Sequence, residues 1–219
     1  MSKYDNKLRR KEGTRNPIGN VYIICEGEKT EHKYFSSFKS EICKGRKCCK
    51  KKISRIEVVS SKNCGILANI EFARNYAKAG SICERDGDCV ICVVDCDANK
   101  KADFDQGIKI AKGSKDNIRV NLCLSNPSFE IWYLLHYECY KKHLNQEELE
   151  HKLKQHIENY KKNIDYYDLL ENYIDKAKEF ANELKDCHSK KGIDLLSYES
   201  NPSTMVPYFL EYIQNFIEK

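Results

Sequence analysis

Glu26 stands immediately after the apolar run NVYIIC (20–25), and Asp95 and Asp97 flank Cys96 immediately after CVICVV (89–94). Residues i and i+2 of an extended chain point the same way, so both aspartates of this DxD can face one ion. Two carboxylates that close repel unless a proton or a divalent cation sits between them. Oxygen ligands of this kind suit Mg²⁺ or Mn²⁺ rather than zinc. Helix capping and plain solvation are the alternatives. A lone DxD is a weak signal, and an acidic end repeated on two strands is a stronger one. Gly27 lets the chain turn tightly beside Glu26, which would lie across from the aspartates if the two runs are neighbouring strands. Lys29, two residues past Gly27, is placed either to meet a phosphate oxygen or to be a solvated turn residue.

The elements around these residues follow from hydrophobic period. NVYIIC is short and rich in β-formers, and EGEKT breaks it. A helix then opens at Thr30-Glu31, with Tyr34, Phe35 and Phe38 on one face. Ile53 to Ser60 reads as a second strand and Ile66 to Lys78 as a helix stopped by Gly80. Cys89 to Val94 is apolar throughout, as a central strand covered on both faces must be. Asp103 to Lys112 reads as a helix and Ile118 to Leu124 as a further strand. This alternation predicts a mostly parallel sheet with right-handed crossovers, an α/β architecture whose ligands sit at the carboxyl ends of the strands. Beyond Asn126-Pro127 the period becomes helical: Phe129 to Tyr140, Glu147 to Tyr160, Tyr166 to Cys187, and a last helix opened by Asn201-Pro202-Ser203 with Pro202 in its first turn. The expected organisation is a basic arm over 1–18, an α/β domain over 19–125 and a helical C-terminal region over 126–219 packed on it.

At 219 residues, with 41% hydrophobic and 32% charged residues, the chain can bury a proper core, which excludes a disordered or low-complexity protein. No apolar run approaches the ~18 residues of a membrane span. The polar start MSKYDNKLRRKEGTR has no signal-peptide core, so a cytoplasmic protein without a membrane partner is expected. The net charge of +5 is uneven: residues 1–52 carry 15 Lys/Arg against 6 Asp/Glu, which leaves 23 against 27 for the remainder. The surplus lies in the N-terminal arm and in Lys44 to Lys52, where Lys50, Lys51 and Lys52 could follow a phosphate backbone or form a solvated loop. Of the twelve cysteines, the Cys89/Cys92 pair is embedded in a strand-like run, and the Cys43, Cys48, Cys49 cluster has no second half at zinc-finger spacing. Buried or bystander thiols are the expectation.

Several further residues have two readings. Glu130, in NPSFE, is either an extra carboxylate of the metal site or a capping-box partner. Glu31 is either a first-turn helix charge, which the macrodipole favours, or a further carboxylate touching the metal. His136 is expected to be a packed, hydrogen-bonded histidine, and Trp132 and Tyr133 to anchor the core. His143, His151 and His156 fall on a polar stretch and are expected to face solvent, and a helix cap accounts for Asn201 to Thr204.

VYIICEGEKTEHKYF, VVDCDAN, LSNPSFEIWYLLHY and NPSTMVPYFLEYI, in that order, resemble the successive motifs of the RloB family. That family is linked to bacterial restriction and phage-defence loci, and its N-terminal region is similar to a Toprim domain. The resemblance implies a Toprim-like sheet over 19–125, with Glu26 as a general acid/base and Asp95 and Asp97 as metal ligands. It also helps the metal-site reading of Glu130. The ATPase domain of OLD-type nucleases is missing from the sequence, so any energy-driven gating would come from a defence-system partner or activator. The function expected is that of a Mg²⁺/Mn²⁺-dependent nuclease acting on RNA, tRNA for example, slightly ahead of DNA. The substrate phosphates would meet Lys29, Lys50, Lys51 and Lys52, and a homo-oligomer is left open. The alternative is a non-catalytic module of a defence complex that binds nucleic acid or a nucleotide signal through the basic stretch.

Overall fold

A computed structural model describes residues 19–44, 55–97, 99–113 and 119–218. Five strands form one sheet: β1 (Val21–Cys25), β2 (Ile56–Ser60), β3 (Cys89–Asp95), β4 (Val120–Asn126) and β5 (Ser203–Thr204). Their order is β2-β1-β3-β4-β5, with the first four parallel and β5 antiparallel to β4. The sheet is thus mostly parallel, as expected, and β1 and β3 are neighbours with Ile24 opposite Cys92.

Period-two alternation sends the strand side chains into two cores. Ile23, Cys25, Ile91, Val93 and Cys123 face one side, and Ile24, Val90, Cys92, Val94, Leu122 and Leu124 face the other. Helices α2 (Ile66–Ala79) and α3 (Lys101–Lys112) cover the second side with Ile66, Ile70, Phe104 and Ile108. Helix α1 (Thr30–Lys44) covers the first, joined by the helices that follow β4. Those are α4 (Glu130–Leu135), α5 (Gln146–His156), α6 (Tyr167–Leu170), α7 (Ile174–Ser189) and α8 (Val206–Glu218). Tyr34 of α1 meets Phe129 edge-on at 5.5 Å and Tyr167 at 5.2 Å between ring centroids, so the helical region shares its core with α1. Aromatic pairs of this geometry contribute about 0.5–1.5 kcal/mol each beyond their buried area. Among the described residues, no helix is long and apolar enough to cross a membrane. Nine described cysteines are free; Cys89 and Cys92 are buried in β3.

Four helices differ from the periodicity, and the one expected over Glu147 to Tyr160 runs from Gln146 to His156. The helix expected over Phe129 to Tyr140 ends at Leu135. His136 Nδ1 bonds the Trp132 carbonyl at 2.8 Å, and the His136 amide turns instead to Tyr133 at 3.2 Å, which tightens and stops the last turn. As expected, His136 is fully buried, with burial holding its pKa down at about 4, and Trp132 and Tyr133 are fully buried beside it. The stretch from Tyr166 to Cys187 is two helices separated by a 3-10 turn at Glu171–Tyr173, where Asn172 and Tyr173 are weak helix formers. Asn201-Pro202-Ser203 does not open the last helix. Ser203 and Thr204 pair with β4, and α8 begins at Val206 with Pro207 in its first turn. The Asn201 side chain is not a cap: it donates to Asn126 Oδ1 (3.0 Å) and the Leu144 carbonyl (2.8 Å) and accepts from the Leu144 amide (2.8 Å). The two Asn-Pro motifs therefore lie side by side, both with cis peptide bonds.

Candidate active site

The carboxyl ends of β1 and β3 open into a cleft of about 540 Å³, lined among others by Glu26, Glu31, Asp95, Glu130, Lys29 and Lys162. Glu26 is carried one residue past β1 and Asp95 is the last residue of β3. Both follow from strands that stop at the same edge of a parallel sheet. Asp97 follows in the turn and is exposed. Two features bring Glu130 to the aspartates. Strand β4 runs on to Asn126, and the Pro127 carbonyl then accepts from the amides of both Cys96 and Asp97 at 3.0 Å. This clamps the start of α4 against the DxD turn. Within that first turn Glu130 alone is acidic, and its neighbour Ile131 belongs to the core.

Five carboxylates from four segments thus share one site, and their electrostatics are those of crowded like charges. Burial, then the charges of Glu31, Glu130, Glu26 and Asp97, pushes the Asp95 carboxyl well above the usual carboxylate range. Burial and then Glu31 push Glu26 from 4.5 up to about 7, with Asp97 adding to the rise. The Gly65 amide and the Asn69 side chain oppose that rise by hydrogen bonding. Burial also raises Glu31, with Glu130 and Asp97 adding to the rise and Lys162 opposing it. Glu31 is therefore both a first-turn charge of α1 and part of the cluster. Asp95 Oδ1 and Glu26 Oε1 are closed off from solvent without a hydrogen-bond partner.

Part of the site arrives from far along the chain, where local sequence carries no sign of it. The segment between α5 and α6 is strapped onto α1: Thr30 Oγ1 donates to the Lys162 carbonyl (2.5 Å), Lys33 Nζ to the Asn163 carbonyl (2.6 Å) and Ser37 Oγ to Asp165 (2.5 Å). Lys162 Nζ then lies 3.7 Å from Glu130 Oε1. Gln146, oriented with its amide nitrogen toward acceptors, donates to Ser128 Oγ (2.6 Å) and Asp97 Oδ2 (3.2 Å) and accepts from Lys162 Nζ (2.8 Å). Ser128 Oγ donates in turn to Glu130 Oε2 at 2.7 Å. Lys162, Gln146 and Ser128 are the site residues that the sequence reading missed. Only Ser128 carried a signal, as the residue preceding FE in NPSFE.

The donor set fits a hard divalent cation in chemistry: all oxygen, crowded, and with two buried oxygens unpartnered. Among the described residues no three His, Cys, Asp or Glu side chains converge on one point as they stand. Like charges at this density repel, so the carboxylates would have to move closer together to share an ion. Lys29 lies exposed on the rim of the cleft. Lys50, Lys51, Lys52 and the Cys43, Cys48, Cys49 cluster lie outside the residues whose side chains are described. The last turn of α1, which leads into that basic stretch, ends about 22 Å along the helix from the cleft. Of the remaining histidines, His143, His151 and His156 are exposed, and His156 stacks on Tyr137 at 4.9 Å.

A family model described as RloB-like protein matches residues 21–213. No curated protein and no solved structure matches the chain.

Proposed function

The chain belongs to the RloB-like protein family, and on that premise we propose that its acidic cleft hydrolyses phosphodiester bonds as a metal-dependent nuclease of bacterial antiviral defence. The observation that carries this reading is the gathering of five carboxylates around the carboxyl ends of β1 and β3, two of them with buried, unpartnered oxygens. Such a cleft repels phosphate on its own, which weighs against a binding module working there without a cation.

Asp95, Asp97 and Glu130 would hold Mg²⁺ or Mn²⁺, with Glu31 beside them. The bound ion would polarise the phosphoryl group and offset its growing charge. Glu26, with a proton affinity near neutrality, exchanges a proton with the attacking water or the leaving oxygen. Lys162 and Lys29 line the same cleft and meet the non-bridging phosphate oxygens. RNA, tRNA included, is the first substrate class to test, on the family's link to defence.

The test is incubation of purified protein with Mn²⁺ and a panel of structured RNA, single-stranded RNA and duplex DNA. Cleavage is expected from the wild-type protein and not from Asp97→Asn, which should still bind substrate. Equal cleavage by both proteins would sink the assignment. Lys162→Met should lower kcat/KM roughly 10- to 100-fold, as loss of a charge-assisted phosphate contact does, without weakening Mn²⁺ binding measured by calorimetry.

A further inference from the structure

Between the positive and the negative groups of the cleft stands an uncharged amide. Gln146 is the first residue of α5, and the start of that helix is held from two directions. The Asn145 side chain accepts from the Glu148 amide and the Glu148 carboxylate from the Asn145 amide, each at 2.9 Å, a closed capping box. One residue earlier, the Asn201 side chain holds both the amide and the carbonyl of Leu144 and reaches on to Asn126, the last residue of β4. Gln146 is thereby fixed beside the DxD turn, 3.2 Å from Asp97 Oδ2. Its orientation follows from its neighbours. Turned the other way, its oxygen would face the Asp97 carboxylate and its nitrogen the Lys162 ammonium, and neither could bond.

Lys162 Nζ lies 2.8 Å from the Gln146 amide oxygen but 3.7 Å from Glu130 Oε1. Its shorter contact is thus to a neutral group, although Glu26, Glu31, Asp95 and Glu130 line the same cleft. An ammonium on a flexible stem is drawn onto carboxylates, and its charge there competes with a divalent cation. We infer that Gln146 is a positioning residue for Lys162: its amide keeps the ammonium off the metal-binding carboxylates and leaves it for the substrate phosphate. This rests on the reading of the cleft as a metal-dependent nuclease site.

The experiment compares Gln146→Met, which keeps the length of the side chain and removes its polar atoms, with Lys162→Met and with the double variant. Mn²⁺ affinity is measured by calorimetry, and Gln146→Met is crystallised without metal. Expected is Mn²⁺ binding about fivefold weaker in Gln146→Met, with Lys162 Nζ moved into direct contact with Asp97 or Glu130. In the double variant no ammonium remains to compete, so affinity should return to within about twofold of Lys162→Met. A merely structural Gln146 would leave the double variant as weak as Gln146→Met. That result, an unchanged Mn²⁺ affinity in Gln146→Met, or Lys162 in its wild-type place overturns the inference. Should the wild-type protein bind no Mn²⁺, the metal-dependent reading falls, and the crystal structure alone decides whether Gln146 positions Lys162.

Discussion

Asp95→Asn is expected to make the protein more stable and, at the same time, unable to bind a divalent cation or cleave. Asp95 is the most crowded group of the site: burial comes first, and four neighbouring carboxylates add to it. Its folded-state pKa lies above the unfolded one, so its contribution to stability is fully present below about 3.8 and is lost as pH rises toward the folded value. An asparagine does not ionise, and its amide N–H groups can donate to the surrounding carboxylates. The gain should therefore be small at pH 4 and grow toward pH 8, on the order of 1–2 kcal/mol, or a Tm rise of about 2–8 °C for a chain of this size. A stability cost concentrated at a functional centre is how sites that must bind charge commonly look. The same variant should lose the Mn²⁺-induced rise in Tm expected of the wild-type protein. Scanning calorimetry at pH 4 and pH 8, with and without Mn²⁺, checks both halves. An asparagine variant that is less stable than wild type at pH 8 would mean that Asp95 is a structural group rather than a held-back ligand.

How far the sequence discloses this site follows from where its parts lie in the chain. Glu26 and Asp95 were legible because each ends an apolar strand, and parallel strands place their carboxyl ends on one edge. The fold class was legible for the same reason, since alternating strand and helix periods leave few ways to build the sheet. Glu130 was half legible: NPSFE announces a turn and a helix start, but only the Pro127 carbonyl shows why that helix abuts the DxD turn. Lys162 and Gln146 were not legible. The strap that delivers Lys162 is fixed by a bond between Thr30 and a carbonyl 132 positions later, and no local periodicity encodes a contact of that range. The NPST segment misled for a related reason. Asn-Pro-Ser has the composition of a helix start, yet Asn201 commits its side chain to Asn126 and Leu144, and the residues after it are captured by the edge of β4.

Glu26 gives the second large expected effect, a pH dependence whose slope reverses with metal. Its pKa rises from 4.5 to about 7 for three reasons, of which burial is the largest, followed by Glu31 and Asp97. The folded protein therefore holds a proton that the unfolded chain has released over this window. Stability from this group is complete below about 4.5 and disappears as pH climbs through 7, a loss of about 3 kcal/mol at most. Without metal, Tm should fall across pH 5 to 7.5, and Glu26→Gln should flatten that fall. A divalent cation needs the carboxylates ionised, so its binding releases protons and strengthens as pH rises. The Mn²⁺-induced rise in Tm should accordingly be larger at pH 8 than at pH 6, opposing the metal-free trend. Calorimetric binding in two buffers of different ionisation enthalpy counts the protons released, and at pH 6.5 the count should drop in Glu26→Gln. A metal-free Tm profile identical in wild type and Glu26→Gln would show that the proton is not on Glu26. The acid/base role would then pass to Glu31, whose carboxyl is also raised and which shares the cleft.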